Sequence, residues 1–456
     1  MTVPNIILIS LDSLRADHLS INGYPRTTSP TLSEILQDER STFFENCFTT
    51  TAWTLPAHAS VFTGLYPSEH GVFDGDLKID PEITFPQKLT DAGYQTEAFL
   101  NNGWLTKSGV TDGFNERTNI FEMDTPSNIV TKNLNRINML LSRTDDGAKK
   151  TIANFKRRYS TVSQPFFAFL HLMEPHYLYN PVRPYHRSYN TQSTMRLLLK
   201  QRNIYTQRGK YYDGQVTVKE SDLDGFVDLY DGEIKYVDAQ LKNLMSILKT
   251  MGEFKNTMVV IFGDHGELFG EDGLIGHHFS LADTLLHVPL LVKWPQRYHP
   301  ITESRVSSYV ELSDLFGTIL KAAGLDDAVN NERTLKSKCA DNSKTAYAEY
   351  KAPASLVESF KTQTRDGTFP AHLRTNIKAL RHGKYKLTVT DEEIALFNIE
   401  SDPNEGTDVS REKPDVVTDL RERMNDYIGN GQTKASNSTT AFSEDVEKQL
   451  KDLGYI

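Results

Sequence analysis

The chain has 456 residues, 38% of them hydrophobic and 24% charged, with a formal net charge of −10. That usage excludes fibrous, membrane-spanning and wholly disordered classes, and so mild a negative balance gives no global attraction for nucleic acid or anionic lipid. The length exceeds what a single core serves, so a large unit and a smaller one are expected.

The first apolar run, residues 5–11, has no basic flank before it and ends at Asp12; it reads as a buried strand and not as a signal peptide. No later run approaches the roughly 18 apolar residues that a membrane-spanning helix needs, so no membrane is expected and the chain as given reads as cytoplasmic. Cys47 and Cys339 are two and far apart, which makes them small hydrophobes and not a disulfide framework. Apolar runs at 96–100, 166–172, 258–262 and 288–292 alternate with helical spacing at 223–251 and 313–323, the latter stopped by Gly324. Such alternation predicts an α/β fold, with a large, mostly parallel or mixed sheet flanked by helices. Between them, residues 175–212 carry seven Lys or Arg and no acid, interleaved with tyrosines; this reads as a solvated surface loop or as a lid that attracts an anionic substrate.

Beyond residue 325 the pattern turns polar, then resumes as short alternating runs at 345–350, 376–380, 384–390 and 394–398 and a helix over 414–427. These predict a small C-terminal antiparallel sheet with a helix. The expected organisation is a catalytic unit over 1–340, an α+β unit over 341–428, and over 429–456 a Gly/Ser/Thr/Asn-rich linker followed by a docking helix.

In an open α/β sheet, ligands gather beyond the carboxyl ends of the strands. Two apolar runs end there in metal-binding residues: one at Asp12, the other at Asp264 and His265. Two carboxylates and an imidazole at the ends of buried strands make a rigid site for one divalent cation. Taken alone, an Asp after a strand is more often a helix cap. The third element is Thr54, followed by Pro56 and an apolar helical run. It is either an ordinary N-cap or a hydroxyl activated by the helix N-terminus and a metal. Asn101 and Asn102 end the 96–100 strand and are candidate amide donors to a substrate oxygen, or turn residues. Arg15 and Asp17 are candidates for a pair that orients the loop after Asp12.

The ordered set Asp12, then Thr54-x-Pro-Ala-His58-Ala-x-x-x-Thr-Gly-Leu-Tyr-Pro, His171-Leu-Met-Glu-Pro-His176, Gly-Asp264-His265-Gly-Glu and Leu285-Leu-His-Val-Pro-Leu-Leu-Val resembles the sulfatase family of the alkaline phosphatase superfamily. Two C-terminal stretches, 377–387 and 396–405, extend the resemblance over nearly the whole chain. It implies a metal-dependent ester hydrolase acting on a small anionic substrate. Position matching implies that His176 and His277 stabilise the anion or protonate the leaving group, that His58, standing where the family has Arg, balances charge with them, and that Ser13 stands where many members have a second metal-binding Asp. His171 and His278 read as packed or supporting residues.

Thr54 replaces the family's Cys or Ser, and Thr cannot be oxidised to formylglycine. A threonine adduct is hydrolysed by attack at the central atom, which favours a phosphate or phosphonate ester, whereas the sequence similarity favours a sulfate ester. Losing the second Asp admits Mn²⁺, Zn²⁺ or Mg²⁺ beside Ca²⁺. After Thr54 no Asp-x-x-x-His is read as the second metal site of the phosphodiesterase branch, so one ion is expected. A phospho-group transferase to an alcohol and a non-catalytic anion-binding protein are the alternatives, and homo-oligomerisation is left open.

Overall fold

The computed structural model describes residues 3–74, 77–120, 138, 141–159, 165–328, 333–427 and 435–437. Its main sheet has eight strands: β1 (Asn5–Leu11), β2 (Ser41–Phe48), β3 (Gln95–Leu100), β4 (Glu116–Asn119), β5 (Phe166–Leu172), β6 (Thr257–Gly263), β7 (His287–Lys293) and β8 (Arg305–Glu311). Their order is β8-β2-β7-β6-β1-β5-β3-β4. All pairings are parallel except those of β7, which runs against both β6 and β2. The sheet is therefore mostly parallel, as predicted, with one reversed strand.

Residues alternate between the two faces of a strand, and here both faces are covered. Ile6 and Leu8 of β1 join one apolar cluster with Phe62, Phe169 and Phe262; Ile7, Ile9 and Leu11 join another with Leu229, Ile234 and Leu241. The latter three belong to the long helix Glu220–Thr250. Burial on both faces is why β1 and β6 read as uninterrupted apolar runs. β2 and β8, by contrast, escape that reading: Ser41, Thr42, Glu45 and Asn46 break β2, and β8 alternates through Arg305, Ser307 and Ser308.

A second sheet follows the chain order β9 (Thr345–Tyr350), β10 (Ile377–His382), β11 (Tyr385–Thr390) and β12 (Ile394–Asn398), antiparallel throughout. Helix Pro414–Asn425 covers it through Leu420 and Met424, which meet Leu380, Leu387 and Leu396. Ala346, Ala348 and Ala379 extend the core of the main sheet. Lys386, buried, reaches Asp283 at 2.9 Å and Glu405 at 2.8 Å, tying the small sheet to the body. Ala435–Asn437 pairs with Leu77–Ile79; the docking helix expected in the tail lies outside the described residues. Both cysteines are free, Cys47 buried and Cys339 half-buried. Among the described residues no helix is long and apolar enough to cross a membrane.

Residues 175–212 are not a solvated loop. They hold helices Thr194–Tyr205 and Arg208–Tyr212, and Tyr177, Tyr179, Leu197 and Tyr205 are buried against the body. Gln201 accepts the Tyr179 N–H at 2.8 Å and donates to the Tyr179 carbonyl at 3.1 Å. The basic side chains obscure this in the sequence, because the apolar tyrosine and leucine positions between them are too widely spaced to form a run.

Candidate active site

β1 and β6 run parallel with Leu11 opposite Gly263, so the residues that follow, Asp12 and Asp264, leave the sheet side by side. His265 comes next, and Thr54 opens helix Thr54–Thr63. All four are buried. Asp12 does not cap a helix, and Thr54 is not a cap either: Trp53 holds that position in extended backbone, and no side chain bonds the first amides. The Thr54 hydroxyl is directed instead at the acids and imidazole. Its Oγ1 lies 3.2 Å from His265 Nε2 and 3.5 Å from Asp12 Oδ1. His265 Nε2 lies 3.4 Å from Asp12 Oδ1 and 3.6 Å from Asp264 Oδ2.

Neighbouring groups fix each of these side chains. Asn102 donates its amide to Asp12 Oδ2 at 3.1 Å, and His171 Nε2 stands 3.2 Å from the same oxygen. Asp264 Oδ1 accepts the N–H of Ser13 at 3.0 Å and of His265 at 2.9 Å. His265 donates Nδ1–H to the Gly266 carbonyl at 2.8 Å, which places its lone pair on Nε2. Ser13 takes left-handed backbone at φ 62°. The Tyr230 hydroxyl pins that turn, donating to the Ser13 carbonyl at 2.7 Å and accepting the Arg15 N–H at 2.9 Å. Arg15 does orient the loop: it bonds Asp17 through both Nε and Nη2, and donates Nη1–H to Glu271 at 2.7 Å and to the Glu267 carbonyl at 2.9 Å. Gly266 is required by contact, since a Cβ there would run into the Thr284 carbonyl.

Burial penalises every charge in this cluster. It pushes Asp264 up to about 7, with repulsion from Asp12 adding to it. Burial also pushes Asp12 upward, but His176, His171 and His265 together hold it well below the usual range. Burial opposes a charged His265, yet Asp264 and Asp12 raise it to about 9. A positive charge is thus wanted between the two carboxylates. Asp264 Oδ2 is buried with no hydrogen-bond partner, and one donor atom each of Asp12, Asp264 and His265 lies within 4.8 Å of the others. These residues fit a divalent cation.

A second grouping, His58, His171 and Asp264, meets the same distance limit. It lacks the chemistry, because His58 donates Nδ1–H to the Thr54 carbonyl at 2.7 Å and its Nε2 meets Ser10 Oγ at 2.9 Å. Burial, reinforced by His171, lowers the His58 pKa to about 3. Both His58 ring nitrogens are thus engaged, and the side chain braces the first turn under Thr54. Asn102 holds Asp12 and accepts the Trp104 N–H at 2.9 Å, and Asn101 donates to the Asp146 carbonyl. The downstream Asp283-to-His287 spacing is structural, with Asp283 on Lys386 and His287 on the Glu45 carbonyl.

His176 and His277 do reach the cluster. Ring centres of His277 lie 4.6 Å from His265 and 5.2 Å from His176. His176 donates Nδ1–H to the Tyr177 carbonyl at 2.6 Å, and His277 Nδ1 stands 3.3 Å from Glu267 Oε1. Burial holds both pKa values below the usual histidine range, and for His277 neighbouring His265 and His176 add to the effect. His278 is packed, with Nδ1 3.2 Å from the Tyr350 hydroxyl and its ring against Trp53. Glu267, visible in the Gly-Asp-His-Gly-Glu motif but given no task there, is the missed partner of His277; the supporting role of Tyr230, 215 positions from Arg15, left no local signal.

The pattern of the sulfatase family matches residues 4–325. The chain is 23% identical to arylsulfatase K of Bos taurus, over 95% of this chain and 83% of that one. It is also 23% identical to the multifunctional alkaline phosphatase superfamily protein PehA of Trinickia caryophylli, over 64% and 68%. Among solved structures, the phosphonate monoester hydrolase of Agrobacterium radiobacter superposes with a TM-score of 0.70 at 19% identity, over 93% of this chain and 95% of that one. A protein in complex with its substrate D-glucosamine-2-N,6-O-disulfate superposes at 0.69 and 16% identity, over 95% and 99%. With the family pattern spanning most of the sequence and the strand-tip cluster in place, the chain belongs to the sulfatase family, that is, to the sulfuric and phosphoric ester hydrolases.

Proposed function

We propose that the chain hydrolyses a phosphate or phosphonate ester through a covalent Thr54 intermediate. The observation that carries this reading is the Thr54 hydroxyl at the mouth of a helix, 3.2 Å from His265 Nε2 and 3.5 Å from Asp12 Oδ1. Asp12, Asp264, His265 and Thr54 would hold a divalent ion, which would supply Lewis acidity, neutralise charge and lower the pKa of the hydroxyl. The first-turn amides of Thr54–Thr63 favour the resulting alkoxide, because no side chain caps them.

Thr54 Oγ1, after losing its proton, attacks the central atom. The new O–P bond forms as the ester O–P bond breaks, and the departing alcohol oxygen takes a proton from His277 or His176. Burial lowers the pKa of both histidines in the resting site, and a dianionic ester raises it on binding, which forms the acid. Glu267 facing His277 Nδ1 stabilises that protonated form. Water then attacks phosphorus and gives its proton to the histidine that protonated the alcohol, and as the Thr54 O–P bond breaks Thr54 regains from solvent the proton it had released there. This route needs no aldehyde, which is why threonine suits phosphorus. A sulfate ester is the second reading, supported by the identity to arylsulfatase K.

The test is turnover of p-nitrophenyl phosphate, bis-p-nitrophenyl phosphate, phenylphosphonate ester and p-nitrophenyl sulfate by the wild type and by Thr54→Ala. The phosphorus esters should be the better substrates, and Thr54→Ala should reduce kcat by at least about 10³-fold while the chain keeps close to one metal ion. Undiminished turnover in that variant removes the nucleophile assignment, a preference for the sulfate establishes the second reading, and transfer of the phospho-group to added glycerol replaces the hydrolase with a transferase.

A further inference from the structure

We infer that Arg208 binds a second anionic group on the substrate, one carried by the leaving alcohol. This rests on the ester hydrolase reading above and deepens it by naming the substrate class: an ester whose alcohol itself bears a carboxylate or sulfo group.

Seven basic residues lie in 175–212, all among the described residues; six are exposed or half-buried, whereas Arg208 is buried, at 3% exposure. A buried guanidinium meets an oxyanion more strongly than an exposed one does, because water no longer competes for its planar fork. The fold also aims this side chain. A Cβ on the next residue, Gly209, would run into the Phe360 carbonyl, and the Gly209 N–H donates to Gln363 Oε1 at 3.0 Å. Helix Arg208–Tyr212 is thus seated on the backbone around Phe360. At its other end the Tyr212 hydroxyl donates to the Ile275 carbonyl at 2.9 Å, two residues before His277. The guanidinium carbon lies 5.6 Å from the centre of the Tyr205 ring and 5.1 Å from that of Phe360.

Both histidines that serve the departing oxygen border this arm. Tyr205 stacks on Tyr177, the residue after His176. Gly276, the residue before His277, takes left-handed backbone at φ 84°, and the point where its Cβ would stand is 3.5 Å from Arg208 Nη1. Nη1 therefore reaches the chain beside His277 with no side chain of residue 276 between them. Burial and neighbouring histidines lower the pKa of His277 and His278, and the Arg208 charge adds to the effect. The central atom of the ester belongs at Thr54, so a group that reaches Arg208 hangs from the alcohol that His277 or His176 protonates.

The experiment uses the full chain with divalent metal and compares phenyl, 3-carboxyphenyl and 3-sulfophenyl esters, each as phosphate and as sulfate. Wild type, Arg208→Met and Arg208→Lys are compared on the same ester, so the differing reactivity of the esters cancels. Arg208→Met keeps the length of the side chain and its contact with the two rings. It should raise KM for the charged esters about 10–100-fold and change the phenyl ester by less than about 3-fold, with metal content unchanged. Arg208→Lys should recover part of the loss, and the charged ester that suffers more identifies the anion. An equal loss on all three esters makes Arg208 a support for His277, and no loss on any makes it a bystander; either result overturns the proposal. Calorimetry with the released alcohols needs no turnover: 3-hydroxybenzoate or 3-hydroxybenzenesulfonate should bind the wild type at least about 10-fold more tightly than phenol, and Arg208→Met should lose that preference. If the preference holds while no ester is turned over, the hydrolase reading fails and the anion subsite stands. If esters are turned over but the wild type shows no preference, the subsite fails and the hydrolase stands.

Discussion

Two buried regions of this molecule collect acids, and they resolve the charge in opposite ways. At the tips of β1 and β6, Asp12 and Asp264 face an imidazole and a hydroxyl, and their donor atoms converge. Glu174 and Glu233 are equally buried, but there the charges that act on them are other acids, Asp145 and Asp146 among them. Burial, and then that repulsion, raises both well above the usual carboxylate range. Backbone amides serve them instead: Glu174 Oε1 accepts from Asp146 and Ala148, and Glu233 Oε1 accepts from Asn180. Burial and like charge thus work against ionisation of the glutamates, whereas the aspartates converge with an imidazole. What separates the two regions is therefore convergence with a nitrogen donor, and not the number of carboxylates.

The comparison can be broken most directly at Asp12. Asp12→Asn removes the charged donor oxygen from the cage while keeping the shape of the side chain. It should lower kcat/KM by at least about 10³-fold together with metal content, with the fold retained by circular dichroism. A variant that stays active with bound metal would show that the cage is not the seat of the chemistry. A smaller effect is expected at His171, which faces Asp12 Oδ2 from β5. His171→Phe should weaken metal binding about 10–100-fold, and His171→Gln, which keeps an N–H donor, should recover part of that loss. Equal affinity in both variants would reduce His171 to packing.

The smallest change is expected at the other region. Glu174 ionises near 4.5 in the unfolded chain and well above that when folded. Below that value both states are protonated and the contribution to stability is fully present. As pH rises, the unfolded chain releases its proton first, and the contribution is lost through the folded pKa. Glu174→Gln removes this dependence, so its melting temperature should fall less than that of the wild type between about pH 4.5 and 8, with stability at pH 5 within about 1 kcal/mol of the parent. Parallel pH curves would show that Glu174 is charged in the folded chain.

The central strands were legible because burial on both faces leaves an unbroken apolar run, as in β1, β5 and β6. β2, β4 and β8 were not read as strands, since polar positions interrupt them. Among site residues, Asp12, Thr54, Asp264 and His265 were legible because each ends an apolar run or opens a helix. The tasks of Asn102, His58, Tyr230 and Glu267 were not, because each depends on a partner far along the chain or across the sheet.

By itself, the sequence determined the mostly parallel sheet and the small antiparallel one, and it singled out Asp12, Asp264 and His265 at strand ends and Thr54 at a helix start, through local periodicity and the polar residues that end apolar runs. Only the tertiary structure decided that His58 braces a helix, that Asn102 holds Asp12 while two backbone amides hold Asp264, and that residues 175–212 fold against the body. The physical reason is that a hydrogen bond is set by position in space: which oxygen of a carboxylate is occupied depends on amides and imidazoles brought to it from up to 251 positions away.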